Sequence, residues 1–392
     1  MIPCTAMMAL AIALGTLATG ALEPETTRTT VFSSGVRDYE EIRIPALVTT
    51  QAGTLLAFAE GRRQPSDHGQ NDIILRRSTD RGATWGEMID VHLDETKVFV
   101  NPCAVVLDTG RVLLMYQEFP VGYHARPIGN RVKLLDAGIT GEHISRTLLR
   151  WSDDDGATWS DAKDVTAGTK RPAPVRSTAS GPGTGIQLTR GAHKGRVLIP
   201  TNEGVWKDKK RFFNVYACYS DDSGMTWNMG EVAPVGAAGH GNEVQMVELP
   251  DGGVLLNSRS SDGNRRLVAR SGDGGETWSE LREDEALIEP RCMGTVLRYS
   301  WPADGRSRIL FANPATENSR SNGTVRVSYD EGKTWPVART VWKRGYAYSC
   351  LTKLNDGTAG LLYETDGYDT IDFARFSIDW LEAESIEQGA KE

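Results

Sequence analysis

The octet STDRGATW, Ser78 to Trp85, recurs in variant form four more times in this chain. The other copies are SDDDGATW at 152–159, SDDSGMTW at 220–227, SGDGGETW at 271–278 and SYDEGKTW at 328–335. Successive copies begin 74, 68, 51 and 57 residues apart. A motif repeated at intervals of this length indicates a chain built from similar units.

The constant positions of the octet favour a structural turn over a reactive site. Its Asp can hydrogen-bond the backbone of the same turn, and its central Gly accepts a positive φ. The closing Trp offers a large apolar surface to pack into a core. Metal binding is the weaker interpretation, because only the copy at 152 is rich in acidic residues.

The sequence between octets has a repeated strand pattern. EVQMVELPDGGVLLNSRS, at 243–260, contains an apolar run, a Pro-Asp-Gly-Gly turn and a second apolar run. A third run leads into each octet, and a sixth unit at 350–380 lacks the octet. We expect a strand near TTVFSSG, at 29–35, to complete the last unit and close the ring. The predicted fold is all-β: a six-bladed β-propeller with four-stranded antiparallel blades and five octet turns, over about residues 25–385.

Composition narrows the possible partners. The chain has 392 residues, 24% of them charged, and a net charge of −8, which argues against nucleic acid and anionic membranes. No cofactor motif is visible, and we expect no cofactor and no obligatory metal. The four cysteines after residue 100 lack CxxC spacing and lie in apolar runs, so we interpret them as buried thiols: Cys103, Cys218, Cys292 and Cys350.

The first residues differ from the rest of the chain. AMMALAIALGTLATGA, at 6–21, is apolar, rich in small residues and uncharged. It resembles a secretory signal, with cleavage near Gly20 or Ala21, although the usual basic residue before the apolar run is missing. A disordered leader or an uncleaved anchor are the alternatives. We therefore expect a signal peptide at 1–21, a propeller domain at 22–392 and a secreted or periplasmic protein.

The predicted topology brings distant residues to one face. Within each predicted blade, the first strand starts at this face, the second strand ends at it and the third strand starts at it. The octets lie at the opposite face. The chemically capable residues at those positions are Arg43, Glu60, Arg62, Asp67, Glu243, Arg259, Arg320, Tyr348 and Glu364. Three of them, Arg43, Arg259 and Arg320, suggest a binding site for an anion, most simply a carboxylate, whose geometry a guanidinium matches. Each arginine alone would be interpreted as an ordinary surface charge.

These motifs together resemble the exo-α-sialidases, or neuraminidases, of the bacterial and animal Asp-box type. The resemblance spans nearly the whole predicted domain. It rests on the octets and on RIPA at 43–46, GPGTGIQL at 181–188, NEVQMVEL at 242–249, RSNGTVRVSYDEGKTW at 320–335, YSCL at 348–351 and LLYE at 361–364. The octet alone is weakly specific, because unrelated propellers carry it. One departure is Ile42, where an aromatic residue often precedes the first arginine of the family.

The resemblance implies a role for each candidate. Arg43, Arg259 and Arg320 would clamp the carboxylate of a sialic acid, Glu364 would support Arg43, and Arg62 would line the pocket. The catalytic set would be Tyr348 as nucleophile, Glu243 as its base and Asp67 as acid and base. Two neighbours are alternatives within these motifs: Tyr346 for the nucleophile and Asp72 for the acid.

The resemblance implies a retaining exo-α-sialidase that acts on sialylated glycans and needs no protein partner. Three alternatives stay open: a hydrolase preferring a deaminated nonulosonic acid, a non-catalytic sialic-acid-binding propeller, and a transferase. The long segment 119–147 should overhang the mouth of the site and shape the preference for the leaving part of the glycan. We interpret His240, close to Glu243, as an ordinary loop histidine.

Overall fold

The computed structural model describes residues 26–383 except 128, 130 and 209. The described part is all-β, with two short helices at Thr166–Thr169 and Ile378–Glu382 and a 3₁₀ turn at Pro302–Asp304. None of the helices in this part is long and apolar enough to cross a bilayer. The predicted signal peptide at 1–21 lies outside the described residues.

Hydrogen bonding joins the described strands into four larger sheets and one two-stranded sheet. The four larger sheets divide into six groups of antiparallel neighbours, because a parallel contact of Asn71 with Val98 joins groups one and two and a single strand is shared by groups five and six. Group one contains Glu41–Thr49, Leu55–Arg62, Asn71–Ser78 and Ile89–His92, and group two contains Lys97–Val106, Val112–Pro120, Arg146–Ser152 and Lys163–Asp164. Group three contains Val175–Ser180, Ile186–Gln187, Val197–Lys207, Lys210–Ser220 and Asn228–Met229, and group four contains Gly241–Glu248, Val254–Ser260, Arg265–Ser271 and Arg282–Ile288. Group five contains Thr295–Ser300, Arg308–Pro314, Ser321–Ser328 and the start of Val337–Lys353, and group six contains the rest of that strand with Ala359–Thr365, Thr370–Phe376 and Thr26–Ser33.

The first described strand closes the chain on itself. Thr26–Ser33 pairs antiparallel with Thr370–Phe376, as the sequence predicted. Six hydrophobic clusters lie between consecutive groups, and one of them joins group six to group one. Each group therefore buries both faces against a neighbour, which is the arrangement that leaves no apolar sheet face in water.

Two regions depart from the simple pattern of four strands. In group three the inner position is shared by two short strands, Val175–Ser180 and Ile186–Gln187, while Gly183–Thr184 between them pairs parallel with group two. The 17-residue strand Val337–Lys353 serves groups five and six together. Within the segment 119–147, Tyr123–His124 and Lys133–Leu134 form a small parallel pair.

The five octets adopt one local structure. In the first, the carboxylate of Asp80 accepts hydrogen bonds from the backbone N–H of Thr84 at 2.9 Å and from its hydroxyl at 2.5 Å. The hydroxyl of Ser78 accepts from the backbone N–H of Gly82, which has a φ of +84°. The five closing tryptophans pack against five different hydrophobic clusters: Trp85, Trp159, Trp227, Trp278 and Trp335. The octets thus act as turns, and their tryptophans fill space in the hydrophobic clusters.

The four predicted thiols are all buried and unpaired: Cys103, Cys218, Cys292 and Cys350. Cys103, Cys218 and Cys350 pack inside the clusters between strand groups, and Cys292 packs beneath Tyr348. The interpretation of these residues as apolar core side chains is confirmed.

Candidate active site

A cavity of about 410 Å³ opens at the ends of the strands opposite the octets. Groups one to four and group six contribute strand residues to its wall, and group five contributes Arg320, which directly precedes Ser321–Ser328. Eight of the residues predicted from sequence line it together: Arg43, Glu60, Arg62, Asp67, Glu243, Arg259, Arg320 and Tyr348. The ninth, Glu364, is fully buried and supports the wall. The structure therefore brings together side chains that span more than 320 positions of sequence.

Local irregularities in the first strands aim three of these side chains at the cavity. The pairing register shifts between Arg43 and Ala46, between Gly241 and Val244, and between Tyr346 and Ser349. Arg43, Glu243 and Tyr348 lie in these three shifts. A bulge adds a residue to one strand and redirects the local side chains, so the regular alternation of the strand does not apply to them.

Tyr348, Glu243 and Arg259 form the most closely connected cluster. The hydroxyl of Tyr348 donates a hydrogen bond to Oε1 of Glu243. Nη1 of Arg259 lies 2.7 Å from Oε2 of the same carboxylate and 3.2 Å from the phenolic oxygen. Burial and the charge of Glu243 raise the pKa of Tyr348 well above its ordinary value, against the opposing effect of Arg259. The phenol is therefore neutral and is already hydrogen-bonded to a proton acceptor.

Glu364 ties together two walls of the cavity. Its carboxylate accepts two hydrogen bonds from Arg43, both at 3.1 Å. It also accepts the backbone N–H of Ile44 at 2.9 Å and that of Tyr348 at 3.0 Å. One buried carboxylate thus fixes the orientation of the first arginine and the backbone of the tyrosine.

Tyr368 contacts two arginines of the cavity wall and was not among the residues predicted from sequence. Its ring lies 3.8 Å from the guanidinium carbon of Arg43, and its hydroxyl accepts a hydrogen bond from Arg320 at 3.0 Å. It lies in the turn after LLYE with a φ of +77°. The signal available in the sequence was an aromatic residue four positions after the LLYE motif.

Arg62 is held by three carboxylates. Glu60 lies 2.7 Å from Nη2, Asp67 lies 3.1 Å from the same atom, and Glu41 lies 3.3 Å from Nη1. Glu60 also accepts the backbone N–H of Asn101 at 2.7 Å. Glu60 of group one therefore accepts a backbone N–H at the bulge of group two, just as Glu364 of group six accepts one at the bulge of group one.

Asp67 lies in the loop after Arg62, with its side chain about half exposed. Partial burial acts to raise the pKa of Asp67, but nearby positive charges, first that of Arg62, and a hydrogen bond from Arg62 together outweigh it and hold that pKa below the usual value. The carboxyl group is thus ionised at neutral pH in this structure.

The two alternative residues lie elsewhere. Tyr346 is buried in the cluster between groups five and six, where it stacks on Tyr363. Asp72 is fully buried, accepts a hydrogen bond from Tyr39 at 3.1 Å and lies 3.3 Å from Arg63. Neither residue lines the cavity, whereas Tyr348 and Asp67 do.

Part of the segment 119–147 forms one side of the cavity mouth, as its position in the chain predicted. Phe119, His124, Ala125 and Arg126 line the cavity. Burial lowers the pKa of His124 to about 4, so this imidazole is neutral. His240 lies outside the cavity lining, where its ring lies 3.0 Å from the carbonyl oxygen of Phe213.

Comparison with known proteins assigns this arrangement to a family. Residues 53–361 match the family described as a BNR repeat-like domain. The chain is 36% identical over 370 residues to a sialidase of Micromonospora viridifaciens and 31% identical over 378 residues to an exo-alpha-sialidase of Aspergillus fumigatus. The chain belongs to the exo-alpha-sialidase family. Among solved structures, this family member is similar to the Hadza microbial sialidase Hz136, with a TM-score of 0.79 and 28% identity over 90% of this chain and 69% of that chain.

The family relatives differ in length. The alignment covers 92% of this chain but only 55% of the Micromonospora sialidase, so the chain spans about half the length of that relative. It covers 89% of this chain and 86% of the Aspergillus protein.

Proposed function

We propose that this chain is a retaining exo-α-sialidase that removes terminal sialic acids from glycans through a tyrosyl-enzyme intermediate. The observation that carries the proposal is the contact of Tyr348 with Glu243 and Arg259 at the floor of a cavity whose lining also includes Arg43 and Arg320. A sialic-acid-binding protein without activity would need the arginines but not a phenol paired with a carboxylate.

The arginines orient the substrate. Arg43, Arg259 and Arg320 surround the space above the ring of Tyr348, and the guanidinium carbons of Arg43 and Arg320 lie 5.3 and 5.4 Å from the ring centre. In a sialic acid the carboxylate is a substituent of the anomeric carbon. When the three guanidiniums bind this carboxylate, they hold the anomeric carbon close to the phenolic oxygen of Tyr348, and such positioning lowers the barrier to attack.

In the first step, the oxygen of Tyr348 bonds to the anomeric carbon while the glycosidic C–O bond breaks. Glu243 takes the phenolic proton, and Asp67 gives a proton to the departing oxygen. A neutral phenol suits this substrate, because a carboxylate nucleophile would meet the negative charge of the substrate's own carboxylate. Since the pKa of Tyr348 is raised, the phenol needs Glu243 to remove its proton.

In the second step, water attacks the same carbon and the bond to Tyr348 breaks. Asp67 now takes a proton from the water, and the phenolic oxygen regains its proton from Glu243. Two displacements at one carbon retain its configuration. Asp67 must carry a proton at the start of the cycle, although Arg62 holds its pKa low. A bound glycan would cover its exposed half and remove water, which raises the pKa of a carboxyl group.

We further propose that the six strand groups are the blades of a propeller, because their clusters follow one another in a closed order and the first described strand completes the sixth group. Residues 1–21 would direct the protein to secretion or the periplasm. The N-terminal sequence of protein recovered outside the cytoplasm tests that expectation, and an intact Met1 would contradict it.

Trapping tests the mechanism directly. A 2,3-difluoro sialic acid forms a slowly hydrolysed adduct, and we expect its mass on the peptide that contains Tyr348. Proton NMR during cleavage of 3′-sialyllactose should show the α-anomer of free sialic acid first. Initial release of the β-anomer would contradict retention, and an anhydro product would indicate an intramolecular transferase. Faster release of a deaminated nonulosonic acid than of sialic acid would favour the hydrolase that prefers the deaminated sugar. Binding of 3′-sialyllactose without cleavage would favour the non-catalytic sialic-acid-binding propeller.

A further inference from the structure

A second recess adjoins the cavity between groups three and four. Its volume is about 580 Å³, and six of its lining residues define what we call the basic groove: Lys210, Arg211, Phe212, Phe213, His240 and Arg291. Arg211 and Phe213 also line the candidate active site, as do Asn242 and Arg259. The groove and the cavity are thus one continuous surface.

The charge of this groove is not balanced by the protein. Within the part of the chain that the structure describes, Lys210, Arg211 and Arg291 have no carboxylate within ion-pair distance. Asp262 lies in the same lining and accepts the backbone N–H of His240 at 3.3 Å. Most other arginines of the described chain are paired, and the whole chain is acidic. Three unpaired cations beside one carboxylate therefore form a local excess of positive charge.

Arg211 is the cation closest to the reaction centre. Its guanidinium carbon lies 4.5 Å from the centre of the Phe213 ring, so the side chain is supported from below. Burial, reinforced by the like charges of Arg126 and Arg259, lowers the pKa of Arg211. A half-buried guanidinium near two other guanidiniums has an electrostatic cost that an anion would relieve.

We propose that the basic groove binds a second anionic group of the substrate, a carboxylate or a sulfate ester, while Arg43, Arg259 and Arg320 hold the terminal sialic acid. This inference rests on the proposed function, because the clamp defines which unit is terminal. Phe212 and Phe213 supply the apolar surface against which a sugar ring can pack, and Lys210 and Arg291 supply charge at the exposed edge of the groove. The chain would thus favour acidic glycans over neutral ones.

Matched substrates test the proposal. An α2,8-disialyl lactose has a carboxylate in the part that leaves, and the same glycan with that inner carboxylate converted to an amide lacks it. A second pair is a sialyl-N-acetyllactosamine with and without a sulfate on its N-acetylglucosamine. A third arm has the sulfate on the terminal sialic acid itself. We expect kcat/KM to be about fivefold higher for the anionic member when the charge lies in the leaving part, and to fall with added salt.

The double variant Lys210→Gln and Arg291→Gln changes only the exposed edge of the groove. We expect it to abolish the preference for the anionic member while kcat/KM for 3′-sialyllactose stays unchanged. Lys333→Gln, an exposed cation in the last octet, is the matched control and should leave the preference intact. Equal rates within both pairs, or a preference that survives the double variant, would overturn the proposal. A preference only in the third arm would place the anion on the terminal sugar and would also overturn the assignment to the leaving part.

Failure of the enzyme proposal gives a different result. If 3′-sialyllactose is not cleaved at all, the proposed function is wrong. The groove is then tested by calorimetric titration with the disialyl glycan and its amide. About fivefold tighter binding of the carboxylate form, lost in the double variant, would still support the groove, and equal binding would contradict it.

Discussion

The two ends of the strands are stabilised by different kinds of contact. At the octet end, the decisive hydrogen bonds join residues four positions apart, such as Asp80 and Thr84, and the same set is made five times. At the cavity end, Arg43 and Glu364 are 321 positions apart, and Glu243 and Tyr348 are 105 apart. The octet end repeats one local solution, whereas the contact of Arg43 with Glu364 and the contact of Tyr348 with Glu243 each occur once.

In a fold built from repeated units, an active site depends on contacts that no other unit supplies. A local turn stabilises its own unit and tolerates variation in the others. A site formed by several units depends on each of them, because no second copy replaces a lost side chain. We therefore expect substitutions of Tyr348 and Asp67 at the cavity end to reduce activity with little loss of stability, and substitutions at the octet end to lower stability without a loss of activity.

The largest effect should follow removal of the phenolic oxygen at the cavity floor. Tyr348→Phe should lower kcat/KM for 3′-sialyllactose on the order of 10³-fold or more, because the nucleophile is lost. The melting temperature should stay within a few degrees. The matched control is Tyr346→Phe, two residues away in the core, where the lost hydroxyl has no hydrogen-bond partner among the described residues. Comparable losses in the two variants would contradict the assignment of the nucleophile.

The next effect depends on the leaving group. Asp67→Ala should lower kcat/KM for 3′-sialyllactose by about 10²–10⁴-fold, the usual contribution of a general acid. A 4-nitrophenyl sialoside should lose much less in the first step, because its leaving oxygen needs no proton. Burst kinetics would then separate formation of the intermediate from its hydrolysis. Equal losses on both substrates in the first step would rule out Asp67 as the acid.

A smaller effect should come from the support of the clamp. Glu364→Gln keeps the size of the side chain but removes the charge that pairs with Arg43. We expect KM to rise about tenfold or more with a smaller change in kcat, because carboxylate binding suffers first. Stability should fall by about 1–3 kcal/mol, since a buried guanidinium loses its partner. A change in kcat alone would indicate that Glu364 acts through Tyr348 instead of through Arg43.

The smallest effect should come from the octet end. Thr158 donates to Asp154 through its hydroxyl at 2.6 Å and its backbone N–H at 2.8 Å. Asp154→Ala removes both bonds and should cost about 1 kcal/mol of stability, with kcat/KM per folded molecule unchanged. Denaturant titration and initial rates measure the two quantities. A loss of activity larger than the loss of folded protein would contradict the expectation that the octet end contributes to stability and not to catalysis.

The same residue gives a pH dependence with a defined sign. The hydrogen bonds from Thr158 lower the pKa of Asp154 to about 2, below its ordinary value near 4. A carboxyl group with a depressed folded-state pKa stabilises the fold above pH 4 and loses that contribution as the pH falls towards 2. The melting temperature of Asp154→Ala should therefore approach that of the parent protein over this interval. A constant difference from pH 5 to pH 2 would contradict the stabilising role of the ionised carboxylate.

The sequence was sufficient to predict the octet turns, the all-β character and the pairing of the first described strand with the last, because each depends on signals that lie within a few residues or on closure of a repeated pattern. Motifs and topology also placed Tyr348, Asp67, Glu60 and the arginines at one face, and the family resemblance implied the contacts of Arg43 with Glu364 and of Tyr348 with Glu243. Tyr368, the contact of Glu60 with the backbone of Asn101 and the unpaired cations of the basic groove became recognisable only in the folded chain, where bulges and neighbouring groups bring these residues together. The energy of such contacts depends on distances between side chains that sequence spacing does not set.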